Sequence, residues 1–210
     1  MRENSVWLRH VDLDTASSLH SYDERHPGFV TAMRVVTNSG SSLAWIVVLT
    51  VVGLWLLYRR LYRLTAFLAV TAIGGSLLNE AIKAAVGRTR PVLPNPIATA
   101  TGKSFPSGHT QSAVVGYGIL LLIFLPVASR RWRHIFVILA FVIVSVIGFS
   151  RIALGVHYVS DVVGGVVIGT AWLLAMTAAF SAWRRDRHMP SVSPTDGLEP
   201  EHAERLKPDP

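Results

Sequence analysis

Residues 41–58 read SSLAWIVVLTVVGLWLLY, and this run decides the fold. An apolar block of roughly 18 residues or more is long enough to span the hydrocarbon of a bilayer, which takes about 20 residues at 1.5 Å rise. Two further blocks, Ile135–Phe149 and Val159–Trp183, have the same character. Across the 210 residues, 50% are apolar and only 16% charged, against about 25% charged in soluble domains. The apolar residues are concentrated in blocks, so the chain is neither a soluble enzyme nor disordered. The sequence predicts an all-α, polytopic transmembrane helical bundle.

Working outward gives five spans: Ser41–Tyr58, about Leu64–Val86, about Gly108–Leu125, Ile135 to about Ile152, and about Tyr158–Trp183. Pro126 ends the third, and a turn around Gly155 joins the last two. A proline-rich loop, Gly87–Pro106, separates the second from the third. Residues 1–40 are mixed, with charges summing to −1. His26-Pro27-Gly28 is a break, and Val30, Met33 and Val36 then share one face of a short helix. This region reads as an amphipathic interfacial segment. The domain reading is therefore 1–40 interfacial, 41–185 transmembrane and 186–210 a cytoplasmic tail. The tail is rich in Pro, Glu, Asp and Ser and is expected to be disordered.

The net charge of +7 resembles that of a nucleic-acid binder. Its placement argues against that partner. Nine arginines form three groups, Arg59/Arg60/Arg63, Arg130/Arg131/Arg133 and Arg184/Arg185/Arg187, each abutting an apolar block. That pattern sets membrane orientation. The groups follow spans one, three and five, so they share a side, expected to be the cytoplasm. The C-terminus joins them there, and the Pro-rich loop and the Gly155 turn face the periplasm or cell exterior. No cysteine is present, which excludes thiolate catalysis and Cys-ligated metal centres.

Parity of the spans then brings particular residues to the outer face: Lys83, Arg90, Ser107, Gly108, His109, Arg151, His157 and Asp161. Ionisable groups at membrane depth are costly and point to function. Lys83, Arg90 and Arg151 call for an anionic ligand, the arginines offering planar forks suited to phosphate oxygens. Arg88 reads as a loop charge outside this set, and Glu80 as a structural partner of Lys83 at helical spacing. Ser107 fits an N-cap whose helix would present free amides from Gly108 onward to an anion. His157 and Asp161 are four apart on one helix face, as a nucleophilic imidazole and its carboxylate partner would be. His109, from another helix, is placed to protonate a leaving oxygen. Three cations beside these groups would repel a metal, so neither metal nor cofactor is expected. Gly164, Gly165 and Gly169 read as helix-packing positions.

Lys83 with Arg90-Pro91, then Pro106-Ser107-Gly108-His109, then Ser150-Arg151 with His157 and Asp161, resembles the three-part signature of the type 2 phosphatidic acid phosphatase family. The resemblance covers about Leu64–Trp183. It implies that Lys83, Arg90, Arg151, Ser107 and the Gly108 amide bind phosphate. It likewise implies His157 as nucleophile, His109 as general acid and Asp161 as partner of His157, with no metal. The implied substrate is a lipid phosphate such as undecaprenyl diphosphate, phosphatidate or phosphatidylglycerophosphate, turned over in the cell membrane among its lipids. The family usually has six spans, against five found here. Either residues 1–40 replace the first span at the interface, or an upstream segment is missing. The rival classes are a non-enzymatic lipid-phosphate-binding protein and a small transporter, and turnover discriminates both.

Overall fold

A computed structural model describes residues 2–23, 25–93, 98–190 and 192–207. Among these residues seven α-helices carry the fold: α1 (Arg2–Asp23), α2 (Pro27–Ser39), α3 (Ser42–Tyr58), α4 (Tyr62–Val86), α5 (Gly108–Phe124), α6 (Arg130–Ala153) and α7 (Val159–Asp186). Among the described residues, five segments are long and apolar enough to cross a membrane: Pro27–Tyr58, Tyr62–Val86, Gly108–Val127, Arg130–Ala153 and Val159–Asp186. The span count is that expected. The first differs in extent, because α2 and α3 run on with only the short Gly40-Ser41 break between them.

Local chemistry explains the boundaries. α2 starts at Pro27, whose missing N–H costs nothing at a helix start. α3 starts where Ser41 Oγ accepts the Ala44 N–H at 3.2 Å. α4 stops at Gly87, which takes a left-handed conformation (φ 66°) open to glycine and sends the following arginines back over the bundle. α5 begins at the expected Ser107 cap, whose Oγ accepts the Thr110 N–H.

α5 is the central helix, packed against α3, α4, α6 and α7. Trp45, Leu49, Leu56, Leu64, Phe67, Leu68, Ile119, Ile123 and Phe180 form the main apolar core. Large apolar side chains also point outward, among them Leu43, Ile46 and Val47 of α3 and Ile138, Leu139 and Phe141 of α6. Water would penalise that surface and lipid would not. Below the α5 start, Asn79 Nδ2 donates to Gln111 Oε1 at 2.7 Å and Gln111 Nε2 to the Gly75 carbonyl at 2.8 Å. These polar links tie α4 to α5 within the apolar layer.

The N-terminal segment is more structured than a short interfacial helix. α1 is 22 residues long and packs against α6 and α7. The C-terminal segment departs from the expected disorder. Residues 192–207 fold back on the Arg-rich end, burying Leu198 and Leu206 in the main core cluster. Arg184 Nη1 pairs with Glu201 at 2.6 Å, and Arg63 lies 3.4 Å from the buried Glu199. Two leucines and two correctly placed carboxylates outweigh a composition that, averaged over the tail, looks unable to pack. Residues 191 and 208–210 of that expectation lie outside the described residues.

Candidate active site

The site lies at the end of the bundle opposite the arginine groups, where the α4 exit, the α5 start and the α6–α7 junction meet. The α6–α7 turn uses Gly155 at φ 68° and delivers His157 just before α7. His157 is 2% exposed and Asp161 fully buried. His157 Nδ1 lies 3.4 Å from Asp161 Oδ2, and its Nε2 lies 3.1 Å from Arg90 Nη1. A guanidinium can only donate. Nε2 is therefore the acceptor, its lone pair facing Arg90, and the ring proton sits on Nδ1 toward the carboxylate. Burial holds the His157 pKa below its ordinary value of 6.5; Arg90 and Arg151 push the same way, against the raising hydrogen bond to Asp161.

Asp161 is held on both oxygens. Oδ2 accepts the Tyr158 N–H at 3.0 Å, which also closes the first turn of α7, and a short bond from Ser104 Oγ. Oδ1 accepts from Arg88 Nη1 at 2.7 Å. Arg90 is clamped by carbonyls, donating to Gly102 (3.2 Å), Thr101 (3.0 Å) and Val156 (2.9 Å) as well as to His157. Arg151 donates through Nη1 to Thr37 Oγ1 at 2.7 Å. Its Nε is buried without a hydrogen-bond partner among the described residues. A donor in that state costs free energy until an acceptor meets it.

Lys83 sits one α4 turn from the Gly87 exit, its Nζ 2.8 Å from Glu80, the partner expected from helical spacing. A Cβ on Gly108 would sit 3.5 Å from that Nζ, so the Lys83 ammonium lies beside the α5 start. Ser107 is fully buried, and its Oγ accepts from Thr110 Oγ1 at 3.0 Å, leaving its own proton to donate. The Ser107 N–H donates to the Asp161 carbonyl at 3.0 Å, a direct backbone tie between the α5 cap and α7. His109 is half-buried in the first turn of α5, within electrostatic range of Arg151, His157, Lys83 and Arg90. All eight residues singled out in the sequence thus lie at this one end of the bundle.

Three further residues belong here. Arg88, set aside as a loop charge, binds Asp161, and Ser104 holds its other oxygen. Asp12 of α1 reaches Arg88 Nη2 at 2.7 Å. Arg88 carried a signal, lying in the basic run between Gly87 and Pro91. Asp12 carried none.

The family model described as the PAP2 superfamily matches residues 63–185. Phosphatidylglycerophosphatase B of Bacillus subtilis (strain 168) is 32% identical over 151 residues, which are 69% of this chain and 72% of that protein. Undecaprenyl-diphosphatase of Sulfolobus acidocaldarius is 30% identical over 146 residues, 67% of this chain and just under two thirds (65%) of that one. Among solved structures, a transmembrane PAP2 type phosphatidylglycerolphosphate phosphatase from Bacillus subtilis superposes with a TM-score of 0.65 at 25% identity, covering 90% of this chain and 98% of that chain.

Proposed function

The chain belongs to the PAP2 superfamily, and on that premise we propose that it hydrolyses the phosphomonoester or terminal diphosphate bond of a membrane lipid phosphate through a phosphohistidine on His157. The observation that carries this reading is the setting of His157, with Nδ1 toward Asp161 and the Nε2 lone pair toward Arg90. Nε2 attacks phosphorus in line with the lipid oxygen, and a P–N bond forms as the P–O bond breaks. His109 gives its proton to the departing lipid oxygen. Lys83, Arg90, Arg151, the Ser107 hydroxyl and the Gly108 amide meet the equatorial oxygens as charge spreads over them. Asp161 stabilises the imidazolium character that His157 gains. Water then gives a proton to His109 and attacks phosphorus, the P–N bond breaks, and phosphate leaves.

Arg90 has two roles in this scheme. Without substrate its guanidinium caps the Nε2 lone pair. A phosphate oxygen is a stronger acceptor for that N–H than a neutral ring nitrogen. Binding therefore draws Arg90 onto the phosphate and frees the nucleophile.

The substrate reading is a lipid phosphate whose head group reaches the outer boundary while its tail stays in the bilayer. Phosphatidate, phosphatidylglycerophosphate and undecaprenyl diphosphate share that chemistry. The three arginine groups at the far end support a periplasmic or exterior site with the C-terminus cytoplasmic. Cysteine introduced at Thr99 is then expected to label from outside, and one at Ser129 not.

The test is phosphate release from those three lipids in detergent micelles, with quenching in alkaline SDS, which preserves a P–N bond, to trap the intermediate. Wild type should release phosphate and carry acid-labile phosphorus on His157, and His157→Ala should do neither. Turnover by His157→Ala at the wild-type rate, or a trapped wild-type enzyme free of phosphorus, refutes the mechanism.

A further inference from the structure

The strongest unassigned cluster lies one layer behind the catalytic pair and comes from the far end of the chain. Asp12, on α1, is 3% exposed. Its Oδ1 accepts the Ser160 backbone N–H at 3.0 Å. Its Oδ2 accepts from Ser160 Oγ at 2.5 Å and from Arg88 Nη2 at 2.7 Å. Ser160 Oγ, having spent its proton on Asp12, accepts from Arg88 Nη1 at 2.6 Å. The same Nη1 donates to Asp161 Oδ1 at 2.7 Å. Arg88 also lies over the Tyr158 ring, 4.3 Å from its centroid. One guanidinium is thus shared between two buried carboxylates 149 positions apart in sequence, and the second of them faces His157.

We propose that Asp12 is a positioning residue for the reaction: by taking half of Arg88 and capping the first turn of α7, it holds Asp161 in the orientation, and at the acceptor strength, in which that carboxylate supports His157. This rests on His157 being the nucleophile.

Two physical effects follow from the geometry. Asp12 binds an α7 amide next in sequence to Asp161, which fixes where the first turn of α7 begins. A carboxylate from another helix thereby does the work of an N-cap side chain. Asp12 also divides the Arg88 charge. With Asp12 neutralised, the full cation bears on Asp161, which becomes a poorer acceptor for the His157 N–H and a poorer partner for its cationic form. The charged and titratable groups around the ring are Arg90 from the segment after α4, His109 from α5, Arg151 from α6 and Asp161 from α7, with Lys83 of α4 acting on His109. Four of these are cations or can become so, against one carboxylate. Asp12 therefore contributes a compensating negative charge that reaches this set through Arg88.

The experiment compares Asp12→Asn, Asp12→Glu and, as control, Asp14→Asn on the exposed side of α1. Each is purified in detergent and assayed on whichever of the three lipid phosphates wild type turns over. Asp12→Asn should lower kcat by about 10- to 100-fold, the loss of one charge-assisted hydrogen bond in the transition state, with KM unchanged. Its acid limb should move to lower pH, because the ring's cationic form has lost support. Asp12→Glu should keep the acid limb of wild type, and Asp14→Asn should match wild type throughout. Wild-type kcat and pH profile in Asp12→Asn overturn the proposal, even with a lowered Tm, since Asp12 would then only cap α7. If Asp12→Asn does not fold, Asp12→Ser, which keeps an acceptor for the Ser160 N–H and loses the charge, decides: a lowered kcat with the acid limb moved to lower pH supports the positioning role, and a wild-type kcat and acid limb overturn it. Failure of wild type to hydrolyse any lipid phosphate would instead strike the functional reading, so the two failures are distinguishable.

Discussion

Gly165→Ala is a small change with a large expected effect, and the structure supplies its size. Gly165 faces the start of α5 one turn beyond Asp161. A Cβ there would lie 2.9 Å from the Ser107 carbonyl oxygen, 3.2 Å from Thr110 Cβ and 3.3 Å from the Gln111 nitrogen. Two of those three atoms are backbone in the first turn of a central helix, so no side-chain rotation relieves the contact. α7 must move away from α5 by about half an ångström to reach ordinary contact distance. Ser107 is also the residue whose N–H bonds the Asp161 carbonyl at 3.0 Å, so the movement stretches the backbone tie between the α5 cap and the His157–Asp161 turn. Overpacking of this kind costs about 1–3 kcal/mol, read as a lowered Tm in detergent. Displacement of that order between reacting groups costs about 10- to 100-fold in kcat/KM, read as phosphate release from a lipid phosphate. Gly28→Ala is the control, because a Cβ on Gly28 meets nothing within 4 Å. A Gly165→Ala enzyme with wild-type Tm and kcat/KM would refute both the packing argument and the claim that the α5–α7 contact sets the site.

The acid limb of kcat/KM should fall below the ordinary histidine value of 6.5, because burial and then the neighbouring arginines disfavour the imidazolium and the reactive neutral ring survives to lower pH. The profile is corrected for the substrate's own second ionisation near pH ~6, and a limb at or above 6.5 counts against the assignment. Arg90→Lys keeps the charge and loses the fork that grips Thr101, Gly102, Val156 and His157 together; kcat/KM is expected to drop by about 100- to 1,000-fold, and a wild-type rate would show that charge alone suffices. Vanadate, which adopts the five-coordinate geometry of the transition state, should inhibit competitively with lipid substrate. EDTA should leave the rate unchanged, and strong chelator sensitivity would point to a metal instead.

What could be read in the sequence follows from the range over which each feature is determined. The spans are local: an apolar run such as 41–58 needs no partner elsewhere in the chain to require a bilayer. The candidate site residues were legible because they sit at helix ends, where parity of the spans alone brings Lys83, His109 and His157 to one face. Ser107 announced itself as a cap and Gly165 as a packing position by residue type and place. Boundaries were weaker. α2 continues into α3, because the Gly40-Ser41 break is too short to separate them, and the tail packs because Leu198 and Leu206 find the core cluster.

Long-range charge pairing is what the sequence conceals. Arg88 looks like any loop cation until Gly87, in its left-handed turn, directs the chain back across α7. Asp12 is one of five acids in a near-neutral leader, and its partner Ser160 stands 148 residues away. No periodicity connects them. The physical requirement that does so is the burial of Asp161: a carboxylate at full burial beside a histidine needs donors on both oxygens. Ser104 and Tyr158 serve one oxygen and Arg88 the other. Arg88 in turn leaves a second nitrogen to be satisfied, and Asp12 satisfies it. Tracing hydrogen-bond demand outward from the His157 ring therefore reaches the N-terminal helix in three steps, each set by valence rather than by sequence spacing.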